Sequence, residues 1–288
     1  MAPRYLPGRI PFDRLLLGRV PELFLRYHHV SGLERFLHGR GRILTWLFWR
    51  LTGLLLRAML CMPAAMVPDQ WLPLGQENVG LARLSTGLAP EFYRLARRGR
   101  VRLRRDTVAA FGNGAELTSA GGDRVVADVV IFATGWRHTM KFLAPELAST
   151  MLRDGRFWLY RHILPPTEQR LGFVGYASST ACQQTSEISA PWLSQAFRGE
   201  LPLPPVDGID AEIQRVLDWL ADVFPARREG YFVGPHLAHH IDDLLGDIGV
   251  PTRRTSNVVA EYLGRFTPSR YSGVAEQRRL ASRTPSPR

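Results

Sequence analysis

The chain has 288 residues, 45% hydrophobic and 22% charged, which is enough apolar content to bury a core and too much for a disordered chain. Its two cysteines, Cys61 and Cys182, lack CxxC spacing and cannot build a disulfide framework, so the composition fits a reduced, cytoplasmic protein without structural zinc. A formal charge of +11 suggests an acidic partner, yet Lys141 is the only lysine among 37 basic residues and the arginines are scattered. With no recognition motif beside them, we read a compositional bias and expect no nucleic-acid role.

Residues 1–30 are irregular, and Pro3, Pro7, Pro11 and Asp13 stand where a secretory signal needs an apolar run. From Gly32 to Val67 the chain is strongly apolar, with Arg35, Arg42, Arg50 and Arg57 at spacings of 7, 8 and 7. At about 100° per residue these arginines share one helical stripe. Arg50 and Arg57 interrupt the run too deeply for a transmembrane span. An interfacial helix is one remaining reading, with arginines at lipid headgroups and Trp46, Phe48, Trp49 and leucines below, giving a peripheral membrane contact through 32–67. The preferred one is a helix packed on the domain, since apolar helix faces usually cover a core. Gly39, Gly41 and Gly53 argue against a single unbroken helix.

Residues 91–99 predict a short helix ending at Gly99. Residues 100–105, 106–111 and 115–119 predict strands of a small β-meander, with turns at Gly112–Gly114 and Gly121–Gly122. Val129–Ala133 predicts a buried strand. Residues 157–164 and 171–177 also predict strands. Pro191 sets the start of a helix over 189–198 near Ser189, since proline suits a first turn. Residues 209–224 predict an amphipathic helix with Ile209, Ile213, Val216, Leu217 and Leu220 on one face, and 236–247 another. Beyond about Arg270 the Arg/Ser/Pro-rich tail predicts disorder.

The segment 123–143 carries the most chemistry. An apolar strand stops at Ala133-Thr134-Gly135, where a glycine at the carboxyl edge of a parallel strand lets a ligand approach the backbone. A buried strand with a tight exit turn explains the same residues without a cofactor. Asp128-Val129-Val130-Ile131-Phe132-Ala133-Thr134-Gly135-Trp136 resembles the D-x-V-I-x-A-T-G-Y linker of the flavin-containing monooxygenase family, with Trp136 for tyrosine. Arg4–Pro7 with Pro11–Asp13, Glu91–Tyr93 with Gly99–Val101, Leu171–Gly175, and Tyr231–Pro251 are similar to further segments of that family in the same order. Glu187 and Trp192 fall as in its E-x-Q-A-R-W helix, although Ser189 and Pro191 replace Gln and Arg.

The resemblance implies an α/β, Rossmann-like fold of the type that binds FAD and NAD(P) in two domains. Residues 1–135 would be the remainder of the NADPH domain, including the apolar helical insert and the β-meander. Residues 136–268 would be the C-terminal lobe of the FAD domain, and 269–288 a disordered tail. It implies FAD and NADPH as cofactors, molecular oxygen and a small nucleophilic or ketone substrate as partners, and N-, S- or ketone oxygenation carried by the flavin. Thr134, Gly135 and Trp136 would lie near the nicotinamide–flavin junction, and Gly175, Gln184, Thr185 and Ser186 near the flavin ring. Thr185 and Ser186 are equally suited to capping a helix. No catalytic acid or base need be assigned.

The family's two GxGxxG phosphate loops are missing from the sequence: Gly39-x-Gly41 leads to Leu44, and Gly112-x-Gly114 to Leu117. The resemblance therefore implies a chain starting beyond the second loop and incomplete as a catalyst. The alternative is a non-catalytic remnant that binds a partner or membrane through 32–67. His236, His239 and His240 with Asp242 and Asp243 have metal-ligand spacing but no intervening glutamate, so a solvated helix face is preferred and no metal is assigned.

Overall fold

The computed structural model describes residues 18–60, 90–133 and 140–283, apart from 105, 115, 169, 180, 225–229 and 265. It is a mixed α/β structure in which helices dominate and the sheets are small. In chain order come α1 (Arg19–Leu23), α2 (Gly32–Leu37), α3 (Arg42–Leu60) and α4 (Pro90–Arg97), then an antiparallel meander of β1 (Val108–Phe111), β2 (Glu116–Ser119) and β3 (Arg124–Val126). Next are α5 (Pro145–Met151) and the two-residue strands β4 (Leu152–Arg153), β5 (Arg156–Phe157) and β6 (Ser178–Ser179). Helices α6 (Cys182–Phe197) and α7 (Val206–Val223), strand β7 (Phe232–Gly234), and helices α8 (Leu237–Asp247) and α9 (Val258–Leu263) follow. A 3-10 turn (Pro268–Tyr271) and α10 (Val274–Arg283) end the described chain.

Helix α7 forms because Ile209, Ile213, Leu217 and Leu220 repeat at three and four residues and bury one face. Helix α8 does the same with Leu237, Ile241, Leu244 and Leu245, and Gly249, at φ +68°, ends it in a left-handed turn. These faces meet Trp192 and Ile188 of α6, Tyr27, and Trp158, Tyr160, Ile163 and Leu164 in the main core, which Tyr271 and Val274 close from the C-terminal side. Arg19 ties α1 to Asp242 of α8 and Glu261 of α9. Glu22 accepts the N–H groups of Ala238 and His239, capping α8 from 216 residues away in sequence.

Several expectations change. The described residues of the stretch 100–105 contain no strand. Val129–Ala133 belongs to no sheet, and Val129, Val130, Ile131 and Phe132 are 40–85% exposed. A wholly apolar strand needs neighbours at both edges, and the described residues bring it none. The only parallel pairing among the described residues is β6 with β7, so the expected dinucleotide-binding sheet is not assembled there. Residues 157–164 are not one strand: Phe157 ends β5, and the chain turns at 161–163, where Arg161 and His162 are left-handed (φ 54° and 59°), so that Tyr160 pairs with Leu164. Residues 171–177 form no strand either.

Helix α6 starts seven residues before Ser189 and carries Pro191 inside it. The interior proline costs about 3 kcal/mol, but Ile188 and Trp192 beside it are fully buried and return about 1.5–3 kcal/mol each. The tail beyond Arg270 is helical over Val274–Arg283, with Arg278 Nε donating to Gln195 Oε1 at 2.7 Å.

The apolar stretch divides at a turn around Gly39 and Gly41 and then continues unbroken through Gly53. Helix α3 is inverted relative to an ordinary packed helix. Thr45, Trp49 and Thr52 face inward: Thr45 Oγ1 donates to Leu37 O and Trp49 Nε1 to Phe24 O. Ile43, Leu44, Leu47, Leu51 and Leu54 are 43–64% exposed. The packed reading thus holds for one face only. Among the described residues no helix is long and apolar enough to cross a membrane.

Truncation should separate the two environments. Leu244→Ala, in the main core, should cost about 2–5 kcal/mol in urea unfolding, whereas Leu51→Ala on α3 should stay within about 0.5 kcal/mol of wild type.

Candidate functional site

Thr134, Gly135 and Trp136 lie outside the described residues. Of the other four sequence-predicted positions, Gln184, Thr185 and Ser186 lie on the first turns of α6, and Thr185 and Ser186 face residues 175–177. Gly175 is left-handed (φ +99°), and a Cβ there would sit 3.7 Å from Ser186 Oγ. The Thr185 hydroxyl, fully buried, shares its proton between Ala177 O and Cys182 O, and Ser186 Oγ donates to Cys182 O at 2.7 Å. Both hydroxyls therefore serve the backbone. Gln184 differs: it is 2% exposed, its Nε2 donates to Glu187 Oε2 at 3.5 Å, and its Oε1 is buried without a partner. A buried acceptor left open is costly and fits a site that meets a donor from outside the chain.

These residues fit a flavin only in part. Gly175 and Gln184 offer a backbone approach and an open acceptor. A dinucleotide also needs its pyrophosphate gripped at a glycine-rich helix start, and no such loop is in the sequence. No chemical step can be derived through the cofactor from the residues present.

The strongest polar organisation lies elsewhere, around α8. Asp243 accepts from Tyr27 Oη at 3.0 Å and lies 2.8 Å from His29 Nε2 and 3.5 Å from Arg161 Nη1. Arg161 grips Asp247 with two nitrogens at 2.8 and 3.0 Å and donates to Glu212 at 2.8 Å. Trp192 Nε1 also donates to Asp247. Burial disfavours the Asp243 charge, yet His28, His29 and Arg161 outweigh it and hold its carboxyl well below the usual range. Holding Arg161 and its neighbour His162 left-handed costs of order 1–3 kcal/mol each, which these bonds offset.

The α8 histidines are not on a solvated face. His236 and His240 are buried, with Nε2 of each unpartnered, and His239 is clamped between Glu22 at 2.7 Å and Glu34 at 2.5 Å. Burial lowers His162 to about 4 and His240 to about 3, and pushes His236 well below its ordinary value. Burial opposes charge at His239 too, but its hydrogen bonds to Glu22 and Glu34 win and raise it to about 10.

Ligating atoms of His28, His29 and Asp243 lie within 4.8 Å of one another. This trio is built for hydrogen bonding. Arg215 Nη1 donates to His28 Nδ1 at 3.0 Å, which puts the proton on Nε2 facing Asp243 where a metal would need a lone pair. A cavity of about 20 Å³ beside it, lined by Tyr160, Arg161, His162, His240 and Asp243, is large enough for one water. The sequence reading singled out Asp243 and the neighbouring histidines but missed Tyr27, Arg161 and Asp247, which complete the cluster. Its signal was the polar pair Arg161-His162 breaking an apolar run, with His239, Asp243 and Asp247 four residues apart on one helix.

Removing the guanidinium should expose the cluster's worth. Arg161→Met should destabilise the protein by roughly 3 kcal/mol, because it removes the guanidinium that pairs with Asp247 and is shared with Asp243. The histidines set the pH profile. His162 and His240 are depressed, so the unfolded chain binds their protons first and stability should fall as pH drops from about 6.5 toward 4. His239 is raised, so its contribution is full below about 6.5 and is lost as pH rises toward 10. Urea midpoints from pH 4 to 10 should show both limbs, with His240→Leu flattening the acid limb and His239→Gln the alkaline one.

Comparison with known proteins connects the chain to flavoenzymes. A FAD-dependent monooxygenase of Pyrenophora dematioidea is 25% identical over 91% of this chain and 59% of its own length. Putative flavin-containing monooxygenase 2 of Arabidopsis thaliana is 32% identical over 59% of this chain and 38% of its own. Among solved structures, S-allyl-L-cysteine S-oxygenase from Allium sativum aligns at a TM-score of 0.43 and 18% identity over 62% of this chain and 38% of that one. The chain thus spans less than two thirds of the length of the curated relatives it matches. The Flavin-binding monooxygenase-like (FMO-like) family matches residues 94–256, more than half of the sequence, and the chain belongs to that family.

Proposed function

We propose that this chain supplies the C-terminal part of a flavin-dependent, NADPH-linked monooxygenase that oxygenates a small nucleophilic or ketone substrate. The family match over residues 94–256 carries this reading. A bound flavin would supply the oxygen-transfer chemistry, and the residues of this chain would orient it and exclude water. Gly175 gives the ring a place to approach the backbone, and Gln184 offers its open Oε1. Thr134, Gly135 and Trp136 stand at the nicotinamide–flavin junction in this reading. The dinucleotide phosphates are held by glycine-rich loops outside this chain, so the chain alone binds FAD poorly and turns over no NADPH.

Fused behind a polypeptide that carries both loops, the chain should oxidise NADPH in an FAD-dependent manner and oxygenate a simple thioether, amine or ketone. Gln184→Leu in that fusion should weaken FAD binding about tenfold, or about 1.4 kcal/mol, while leaving the urea midpoint unchanged or higher. A folded fusion that holds FAD and NADPH yet transfers no oxygen to any of the three would overturn the proposal.

A further inference from the structure

Helix α3 shows solvent the side that a core helix would hide. Taking about 100° per residue, Ile43, Leu44, Leu51 and Leu54 lie within about 60° of Leu47, so the five make one continuous outward stripe. Phe36, half exposed, lies against Gly41 at the head of the helix and lengthens the stripe. Patches of contiguous large apolar side chains are uncommon on soluble surfaces and mark a surface that something covers.

The borders identify the cover. Arg50 and Arg57 fall about 60–80° to one side of the leucines, and the Arg50 guanidinium lies over Trp46 at 5.1 Å. Long arginine stems can lie along apolar surface and lift their charge to its edge, and tryptophan favours the same boundary. No acidic residue occurs between Arg35 and Val67. Leucines in the middle, cations and a tryptophan along the rim and no anion suit a surface that is apolar beneath and negative on top. The inward face of Thr45, Trp49 and Thr52 is held by the protein, so the helix lies flat rather than entering end-on. We propose that α3 docks on an anionic lipid bilayer, with Leu47, Leu51 and Leu54 among the acyl chains and Arg50 and Arg57 at the headgroups. This does not depend on the monooxygenase reading.

Co-sedimentation tests it. The purified chain should pellet with phosphatidylglycerol vesicles, several-fold less at 0.5 M salt, and stay in solution with phosphatidylcholine alone. Leu47→Asp with Leu51→Asp should reduce partitioning at least tenfold with an unchanged circular dichroism spectrum. Arg50→Gln with Arg57→Gln, which keeps the leucines, should reduce it less and remove most of the salt dependence. Three results would each sink the idea. The wild type could ignore phosphatidylglycerol, or bind it undiminished after the leucine changes. It could also be a dimer that those changes split, which would make the stripe a contact between two copies.

Discussion

The carboxylate of Asp243 sits where little water reaches, so its charge has to be met by groups the chain brings to it. Tyr27 and His29 arrive from the segment after α1, and Arg161 from a turn 82 residues before Asp243 in sequence. Arg161 in turn engages Asp247 and Glu212, so one largely shielded anion ties α7, α8, the 157–164 turn and the segment before α2 together. Each partner satisfies another, which lets so many ionisable groups share a dry region. The left-handed backbone at Arg161 and His162 follows from it: an extended strand there would carry the guanidinium away from its carboxylates. Glu22 extends the same logic, holding the start of α8 and one side of the His239 ring.

Legibility in the sequence followed the scale of the interactions. The periodicity of 209–224 and 236–247 announced α7 and α8 because their burial is set by local spacing of apolar residues. The hairpin turns of the meander were equally visible, since glycine at Gly114 and Gly122 has a local conformational reason. The 157–164 turn was not, because its apolar composition says strand and only Arg161's distant partners say otherwise. Pro191 misled for the same reason: its local preference is outweighed by packing of Ile188 and Trp192. The α8 histidines were misread because Glu22 and Glu34, which clamp His239, are some 200 residues away.

The candidate site shows the same division. The family resemblance names Gly175, Gln184, Thr185 and Ser186 as flavin contacts, and the helix that presents three of them starts earlier than proline placement suggests. What each side chain does there required the structure: two hydroxyls turned to backbone carbonyls, and one amide oxygen left open. The Val129–Ala133 segment is the sharpest contrast. Its sequence is that of a central strand and it lies within the family match, yet it stands exposed and unpaired among the described residues. The family assignment therefore stands on sequence, and the sheet geometry expected of it is not formed by this chain's described residues.

Apolar side chains that are already wet in the native state alter the thermodynamics of the whole molecule. The heat-capacity increment and denaturant slope of unfolding scale with the apolar surface newly hydrated, and the leucines of α3 and the Val129–Phe132 segment contribute little to that difference. The free protein thus has a flatter stability curve and a gentler urea slope than its 288 residues would set, and covering either surface steepens both.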